Sequence, residues 1–125
     1  MERDVMIVAG FGFRAGASEQ SLLDAFVRAS TDHLPQALAT ADDKADGLNA
    51  LSLRLDLPVI PVGEIDLIEQ TTFTQSKAAT AARNTGSVAE ASALAAAGAR
   101  ARLVAPRHIS QDRMATCAIA IGDQK

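Results

Sequence analysis

The sequence predicts an α/β protein in which helices cover both faces of a mostly parallel sheet of about five strands, giving three α/β/α layers. Short runs of apolar, β-forming residues alternate along the chain with segments whose apolar residues recur at helical spacing. The last two predicted strands are joined by RHISQDR alone, which is too short for a crossover helix, so we expect them to form an antiparallel pair. With 125 residues, the chain is expected to form one domain over residues 1–125.

The first predicted strand is the apolar run VMIVA at residues 5–9, and a glycine-rich loop, GFGFRAG, follows at residues 10–16. Ser18 is suited to cap the N-terminus of a helix whose apolar face continues to about Asp32. The segment QALAT at residues 36–40 then predicts the second strand. These elements have the order of a β-α-β unit.

The middle of the chain continues this alternation. Leu48, Leu51 and Leu55 fall at helical spacing and predict a second helix. The run VIPV at residues 59–62 predicts a third buried strand, and residues 63–69 are expected to form a short helix. The pattern therefore supplies three strands before any reversal of direction is needed.

Two alanine-rich helices are predicted next. The first spans residues 77–83 and ends at Asn84, a residue that tolerates the left-handed conformation of a helix C-terminus. Ser87 and Glu90 have the spacing of a capping box, which predicts the start of a second helix that Gly98 ends.

The last two predicted strands are RLVAP at residues 102–106 and MATCAIAIG at residues 114–122. Residues of different size alternate along the second of them. Its larger face carries Cys117, Ile119 and Ile121, and its smaller face carries Thr116, Ala118 and Ala120. The smaller face predicts close packing of an alanine-rich helix such as residues 88–97.

Composition excludes several classes of function. The net charge of −3 does not favour a general binder of nucleic acids or acidic membranes, because these proteins neutralise phosphates with excess Lys and Arg. An aromatic content of 3% does not favour a surface on which bases stack. No apolar run approaches the roughly 20 residues that span a bilayer, and the N-terminus lacks a signal-peptide pattern. We therefore expect a cytoplasmic protein without nucleic-acid or membrane partners.

The metal-binding residue types are sparse. Cys117 lies in an apolar strand and is expected to be part of the core. His33 and His108 do not have the spacing of a ligand pair. The sequence therefore predicts no metal site.

Three segments are expected to meet at one edge of the sheet. In α/β folds, ligands bind outside the carboxyl ends of the parallel strands. The segments GFGFRAG, ADDK and PVG each follow a predicted strand, so they are expected to lie along that edge. This edge is the predicted site.

The glycine-rich loop permits more than one interpretation. Gly10, Gly12 and Ala15 match a loose dinucleotide-binding fingerprint. Gly16 and Ala17 lengthen the loop before the helix, whereas a dinucleotide fold starts its helix within the glycines. A strand-to-helix turn without a ligand fits the same residues.

Several groups on this edge are suited to bind an anion. The helix that begins after Ser87 has free backbone N–H groups at its N-terminus, and the hairpin RHISQDR is basic. Each feature also has a purely structural interpretation. Ser87 and Glu90 cap many helices that bind nothing, Lys44 fits a solvated loop charge, and the hairpin fits an exposed turn.

Taken in order, these motifs carry a resemblance to a known family. They are GFGFRAG after the first strand, DDKADGL, TGSVAEASALAAAG, a basic residue at Arg107, and a final TCAIAI strand. From Val5 to Ile121 the chain resembles the cobalamin-biosynthesis family that comprises CobE and the C-terminal domain of CbiG. No further domain precedes the motifs, so a stand-alone, CobE-like member is expected.

The resemblance implies a role in building the corrin ring, in which the protein binds or carries a corrinoid or precorrin intermediate of the aerobic route. One alternative is a CbiG-like hydrolase that opens the δ-lactone of a precorrin-5A-type intermediate and releases acetaldehyde. A second alternative is a non-catalytic partner of another cobalamin-pathway enzyme. No resident cofactor is implied.

The resemblance also suggests site residues, and the chain departs from the family at three of them. Relatives often have a small residue where Phe13 stands. Asp46 stands where relatives commonly have Glu, and Arg107 stands where they commonly have Lys. The expected ligand-binding residues are Gly10, Phe11, Gly12, Phe13, Arg14, Gly16, Lys44, Asp46, Thr85, Gly86, Ser87, Glu90 and Arg107.

Precorrins are apolar in the middle of the ring and carry carboxylates around its rim, which suggests a role for each group of residues. Phe11 and Phe13 would contact the apolar face if they point outward. The basic side chains and the helix N-terminus would bind carboxylates, with Arg as the better clamp because its donors form a planar fork. In the hydrolase alternative, Glu90 would be the general base.

Overall fold

The computed structural model describes residues 5–123, which form one five-stranded sheet flanked by helices. The strands are β1 (Val5–Phe13), β2 (Ala37–Ala41), β3 (Val59–Val62), β4 (Ala99–Ile109) and β5 (Ala115–Asp123). The helices are α1 (Glu19–Ala29), α2 (Asn49–Leu55), α3 (Glu64–Ile68), α4 (Lys77–Arg83) and α5 (Val88–Ala97). A 3₁₀ helix (Asp42–Leu48) leads into α2.

The strand order in the sheet is β3-β2-β1-β5-β4. Strands β1, β2 and β3 are parallel, whereas β5 pairs antiparallel with both β1 and β4. Strand β5 alone therefore runs in the opposite direction, and the carboxyl ends of the other four strands lie at one edge. The predicted α/β class, with a parallel core and an antiparallel C-terminal pair, is confirmed.

Helices pack on both faces of the sheet, as predicted. On one face, Leu22 of α1 and Leu51 of α2 belong to the same buried cluster as Ile119 of β5. On the other face, Leu94 of α5 and Leu67 of α3 pack in a second cluster. The sheet therefore has an apolar layer on each side, which is the arrangement expected for strands that are buried on both faces.

Strand β1 is longer than predicted, because it continues through GFGF and ends at Phe13. These residues pair with β5 along their whole length, so the loop begins only at Arg14. A Cβ atom on Gly10 would lie 2.2 Å from the carbonyl oxygen of Ala89 in α5. Gly10 is therefore a position where a helix approaches the strand, a common reason for glycine within a sheet.

The close packing predicted from the smaller face of the last strand is confirmed. Ala120 of β5 lies in the same buried cluster as Ala93 and Ala97 of α5. A Cβ atom on Gly122 would lie 2.5 Å from the carbonyl oxygen of Ala97. Small residues on both partners thus allow α5 to lie directly on the strands.

Side-chain alternation along β1 decides where Phe11 points. Because Gly10 faces α5, Phe11 faces the opposite layer, where it is 0% exposed and stacks on Phe26 of α1 with ring centroids 6.4 Å apart. The condition that Phe11 points outward is not met. Its ring fills the core, so the expected ligand contact at Phe11 is wrong.

The helix ends agree closely with their sequence signals. Asn84 (φ 58°) and Gly98 (φ 100°) end α4 and α5 with positive φ angles, as predicted. Helix α1 ends at Ala29, before the predicted Asp32, because Ser30 caps it by donating a hydrogen bond to the carbonyl oxygen of Phe26. No helix within residues 5–123 is long and apolar enough to cross a membrane.

Candidate functional site

A cleft of about 400 Å³ opens at the edge where the strands β1 and β4 end. Its walls are the end of β1, the β4–β5 hairpin, the face of α4 and the N-terminus of α5. Five of the predicted residues line this cleft: Gly12, Phe13, Arg14, Ser87 and Arg107. A cleft therefore lies at the predicted edge of the sheet.

Three arginines line the cleft: Arg14, Arg107 and Arg113. Within residues 5–123, none of their guanidinium groups forms a salt bridge. The arginines that do form salt bridges lie elsewhere and are Arg28, Arg54, Arg83 and Arg100. The cleft thus concentrates uncompensated positive charge in a protein whose net charge is −3.

The N-terminus of α5 adds to this positive potential. Ser87 caps the helix, and its Oγ accepts a hydrogen bond from the backbone N–H of Glu90 (3.2 Å). The Ser half of the predicted capping box is therefore present. Because a helix N-terminus has a positive partial charge, it favours anions in the cleft beside Ser87.

The remaining walls of the cleft are largely apolar. Phe13 lines it at the end of β1, Val88 lines it at the start of α5, and Ile109 and Met114 line it on the hairpin. Small side chains of α4 complete these walls. Within residues 5–123, no group of three or more His, Cys, Asp and Glu side chains could hold a metal ion. The cleft is suited to a ligand that is apolar in part and carries several negative charges.

Glu90 lies behind the cleft wall rather than in it. Its side chain is 0% exposed. The carboxylate accepts hydrogen bonds from the backbone N–H of Thr74 (2.8 Å), the hydroxyl of Thr74 (2.7 Å) and the backbone N–H of Arg107 (3.0 Å). The carboxylate therefore does not complete the capping box. It connects α5 to β4 and to the loop that precedes α4.

Thr85 and Gly86 are also buried behind the cleft. The backbone N–H of Ser76 donates to the carbonyl oxygen of Gly86 (2.7 Å), and a Cβ atom on Gly86 would lie 2.4 Å from the carbonyl oxygen of Thr74. Among the described residues, the Thr85 hydroxyl has no hydrogen-bond partner. These two residues shape the loop that precedes α5 rather than the surface of the cleft.

Lys44 lies next to the cleft, against one of its lining residues. Its Nζ is 4.7 Å from the centroid of the Phe13 ring, a cation–π contact, and Phe13 is also in contact with Gly47. Asp46 is exposed on the same 3₁₀ helix. Gly16 lies in the open turn before α1 with a φ of 88°, which explains the glycine without a ligand.

Ten residues of the cleft were not predicted individually, among them Ser76, Arg113 and Met114. The basic hairpin RHISQDR was the signal for Arg113. The backbone N–H of Arg14 donates to the carbonyl oxygen of Met114 (2.9 Å), which holds the hairpin beside the end of β1. Ser76 precedes the alanine-rich helix and caps it, and this position was the available signal.

The Asp112 carboxylate holds the hairpin turn from outside the cleft. Asp112 accepts hydrogen bonds from the Ser110 hydroxyl (2.6 Å), from the Ser21 hydroxyl in α1 and from the backbone N–H of Met114 (3.1 Å). The bonds from Ser110 and Ser21 hold the pKa of Asp112 below its ordinary value. The turn is therefore attached to α1 by the charged hydrogen bond from Ser21.

This arrangement can now be compared with known proteins. Residues 7–120 match the family described as Cobalamin synthesis G C-terminus. The chain belongs to this family. The expected resemblance to the CobE and CbiG cobalamin-biosynthesis proteins is therefore confirmed. No curated protein sequence matches the chain.

Solved structures of cobalamin-biosynthesis proteins agree with this assignment. The structure of CobE is 31% identical in sequence, with a TM-score of 0.82 over 94% of this chain and 90% of that chain. The cobalamin biosynthesis protein chiG from Agrobacterium tumefaciens is 36% identical, with a TM-score of 0.70 over 95% and 99% of the two chains.

A cobalamin biosynthesis protein G homologue from Sulfolobus solfataricus shares the fold. Its TM-score is 0.73 at 19% identity, and the match covers 95% of this chain. The match covers only 37% of the Sulfolobus chain, so the shared fold is one part of that longer protein.

Proposed function

We propose that this protein binds a corrinoid or precorrin intermediate of cobalamin biosynthesis in the cleft and acts as its binder or carrier. The observation that carries the proposal is the set of three arginines, Arg14, Arg107 and Arg113, which share one cleft and form no salt bridge within residues 5–123. Membership of a cobalamin-biosynthesis family supplies the class of ligand.

The chemistry of this ligand class matches the walls of the cleft. Guanidinium groups bind carboxylates through two parallel hydrogen bonds, so the three arginines suit the acetate and propionate groups on the rim of a precorrin. The apolar walls at Phe13, Ile109 and Met114 suit the ring itself. Of the two phenylalanines that were expected to contact the ring, only Phe13 lines the cleft.

The size of the cleft suggests how the ligand would be held. A volume of about 400 Å³ lies towards the lower end of the range for small-molecule sites. We therefore expect the cleft to receive one side of the macrocycle and its carboxylates, with the rest of the ring at the surface. A ligand held by one side remains accessible to a second protein, which suits a carrier.

The hydrolase alternative has less support. Both carboxylate oxygens of Glu90 accept hydrogen bonds, and its side chain is 0% exposed, so this residue is poorly placed to activate a water molecule in the cleft. We therefore assign Glu90 a structural role. Release of acetaldehyde from a lactone substrate in a coupled assay would support the hydrolase instead.

Titration with hydrogenobyrinic acid, a metal-free corrin with free carboxylates, tests the proposal. Binding should shift the visible spectrum of the corrin and make it co-elute with the protein in gel filtration. Replacing Arg14 by Ala should weaken binding on the order of 10- to 100-fold, because a hydrogen bond between charged groups is lost.

The matched control is Arg102→Ala, which removes an exposed arginine of β4 outside the cleft. This variant should bind the corrin like the wild type. An unchanged spectrum and separate elution with the wild-type protein would rule out binding of this ligand. If the protein instead co-purifies with another pathway enzyme and changes its turnover, the accessory role is favoured.

A further inference from the structure

Arg113 occupies an unusual position in the cleft. It lies in the turn of the β4–β5 hairpin with a φ of 64°, in the left-handed region that non-glycine residues rarely adopt. A backbone conformation of this kind persists only where the surrounding structure fixes it. The backbone N–H of Arg113 donates to the carbonyl oxygen of Ser110 (2.9 Å), which closes the turn.

The opposite side of this turn is attached to α1 at two points. Asp112 accepts a hydrogen bond from the Ser21 hydroxyl. Asp24 accepts one from the backbone N–H of Gln111 (2.7 Å). Neither aspartate lines the cleft, so the turn presents its carboxylate contacts to α1 and its guanidinium group to the cleft.

The charges around the turn leave Arg113 available to a ligand. Asp24 is paired with Arg28 of the same helix (3.0 Å). Asp112 accepts its hydrogen bonds from hydroxyl and backbone donors and forms no salt bridge within residues 5–123. Neither Asp24 nor Asp112, the neighbour of Arg113 in sequence, therefore forms a salt bridge with Arg113.

We propose that Asp112, together with Asp24, is a positioning residue that holds the hairpin turn against α1 and thereby keeps Arg113 over the cleft as an anion-binding group. This inference rests on the proposed function, since it assigns an affinity-determining residue to the same site. It also adds a contact between α1 and the hairpin to the determinants of binding.

The test is a double-mutant cycle with hydrogenobyrinic acid as the probe. Arg113→Ala should weaken binding about 10-fold, because one charged hydrogen-bonding group is lost. Asp112→Asn should weaken binding several-fold in the wild-type background and should have little further effect when Arg113 is already Ala. A purely structural role for Asp112 would give equal effects in both backgrounds.

The controls are Arg102→Ala and Asp32→Asn, two exposed residues outside the cleft and the turn. If Asp112→Asn does not fold, Ser21→Ala removes one donor to Asp112 and keeps its carboxylate. This variant should show a smaller loss of affinity that again depends on Arg113. Amide hydrogen exchange should be faster at Met114 in Asp112→Asn than in the wild type.

The outcomes separate this inference from the proposed function. If the wild-type protein does not bind the corrin, both are wrong. If the wild type binds the corrin, and both Arg113→Ala and Asp112→Asn bind it with the affinity of the wild type, the positioning role is wrong and the proposed function stands.

Discussion

The buried carboxylate of Glu90 accepts a hydrogen bond from the backbone N–H of Arg107 at 3.0 Å. The first turn of α5 is thereby joined to the strand segment that carries a cleft arginine. Because Glu90 also binds both the backbone and the hydroxyl of Thr74, one side chain fixes three segments around the cleft.

Replacing Glu90 by Gln should lower the free energy of unfolding by about 1–3 kcal/mol, because the new amide N–H group would face donors from Thr74 and Arg107. Urea denaturation measures the change. Glu64→Gln, at an exposed position of α3, is the matched control and should be near neutral. Equal midpoints for the two variants would contradict the structural role of Glu90.

Replacing Gly10 by Ala should destabilise the protein by about 1–3 kcal/mol, because the added Cβ would lie 2.2 Å from the Ala89 carbonyl oxygen and force α5 away from β1. Gly63→Ala is the control, since a Cβ there would meet nothing within 4 Å. Thermal unfolding should show a lower melting temperature for Gly10→Ala only. A normal melting temperature would mean that Gly10 is not a packing position.

The protein should lose stability in acid because three aspartates have lowered pKa values. The backbone N–H of Gln111 donates a hydrogen bond to Asp24 and lowers its pKa below the ordinary 3.8. The Arg83 side chain lowers the pKa of Asp43 in the same way. The Ser110 hydroxyl does so for Asp112. As the pH falls, these carboxylates therefore bind protons at a higher pH in the unfolded chain than in the folded protein. Their contribution to stability is present above pH 3.8 and is lost as the pH falls through their lower pKa values in the folded protein.

Urea midpoints measured between pH 6 and pH 2.5 test this pH dependence. The midpoint should fall over the acidic part of the range, and the fall should be smaller in Asp112→Asn, which has one fewer shifted carboxyl. A parallel pH profile for this variant and the wild type would show that Asp112 does not contribute.

Cys117 should be unreactive in the folded protein. Its side chain is 0% exposed, and burial raises the pKa of the thiol well above its usual value, so little thiolate is present at neutral pH. The core position predicted for it is confirmed. A thiol reagent such as 5,5′-dithiobis(2-nitrobenzoic acid) should label Cys117 at the rate of unfolding and should label it at once in denaturant. Rapid labelling under native conditions would contradict this burial.

The order of the elements could be predicted because apolar periodicity is local. The strand VIPV, the start of α5 at Ser87 and the left-handed Asn84 follow from neighbours within a few residues. The orientation of GFGF could not be predicted in this way. Glycine is common both in open turns and in strands that a helix approaches closely. Which of the two Gly10 belongs to depends on its contact with Ala89, which is distant in sequence.

The candidate site was predictable in outline only. Arg14, Ser87 and Arg107 line the cleft at the predicted sheet edge, because each lies at or next to the end of a predicted element. The role of Glu90 was obscured because its spacing from Ser87 fits a cap, while its actual partner Thr74 lies 16 residues away. A local motif does not show which distant residues donate hydrogen bonds to the Glu90 carboxylate.

The reversed strand β5 makes the cleft depend on pairing between segments that are far apart in the chain. Strand β5 lies last in the described chain yet sits between β1 and β4, pairing with β1 from Val5–Asp123 to Phe13–Ala115. Without this pairing, the hairpin turn that carries Arg113 is not held at the end of β1. Because contacts between residues far apart in sequence form slowly, the cleft should take shape late in refolding, after β5 has paired with β1.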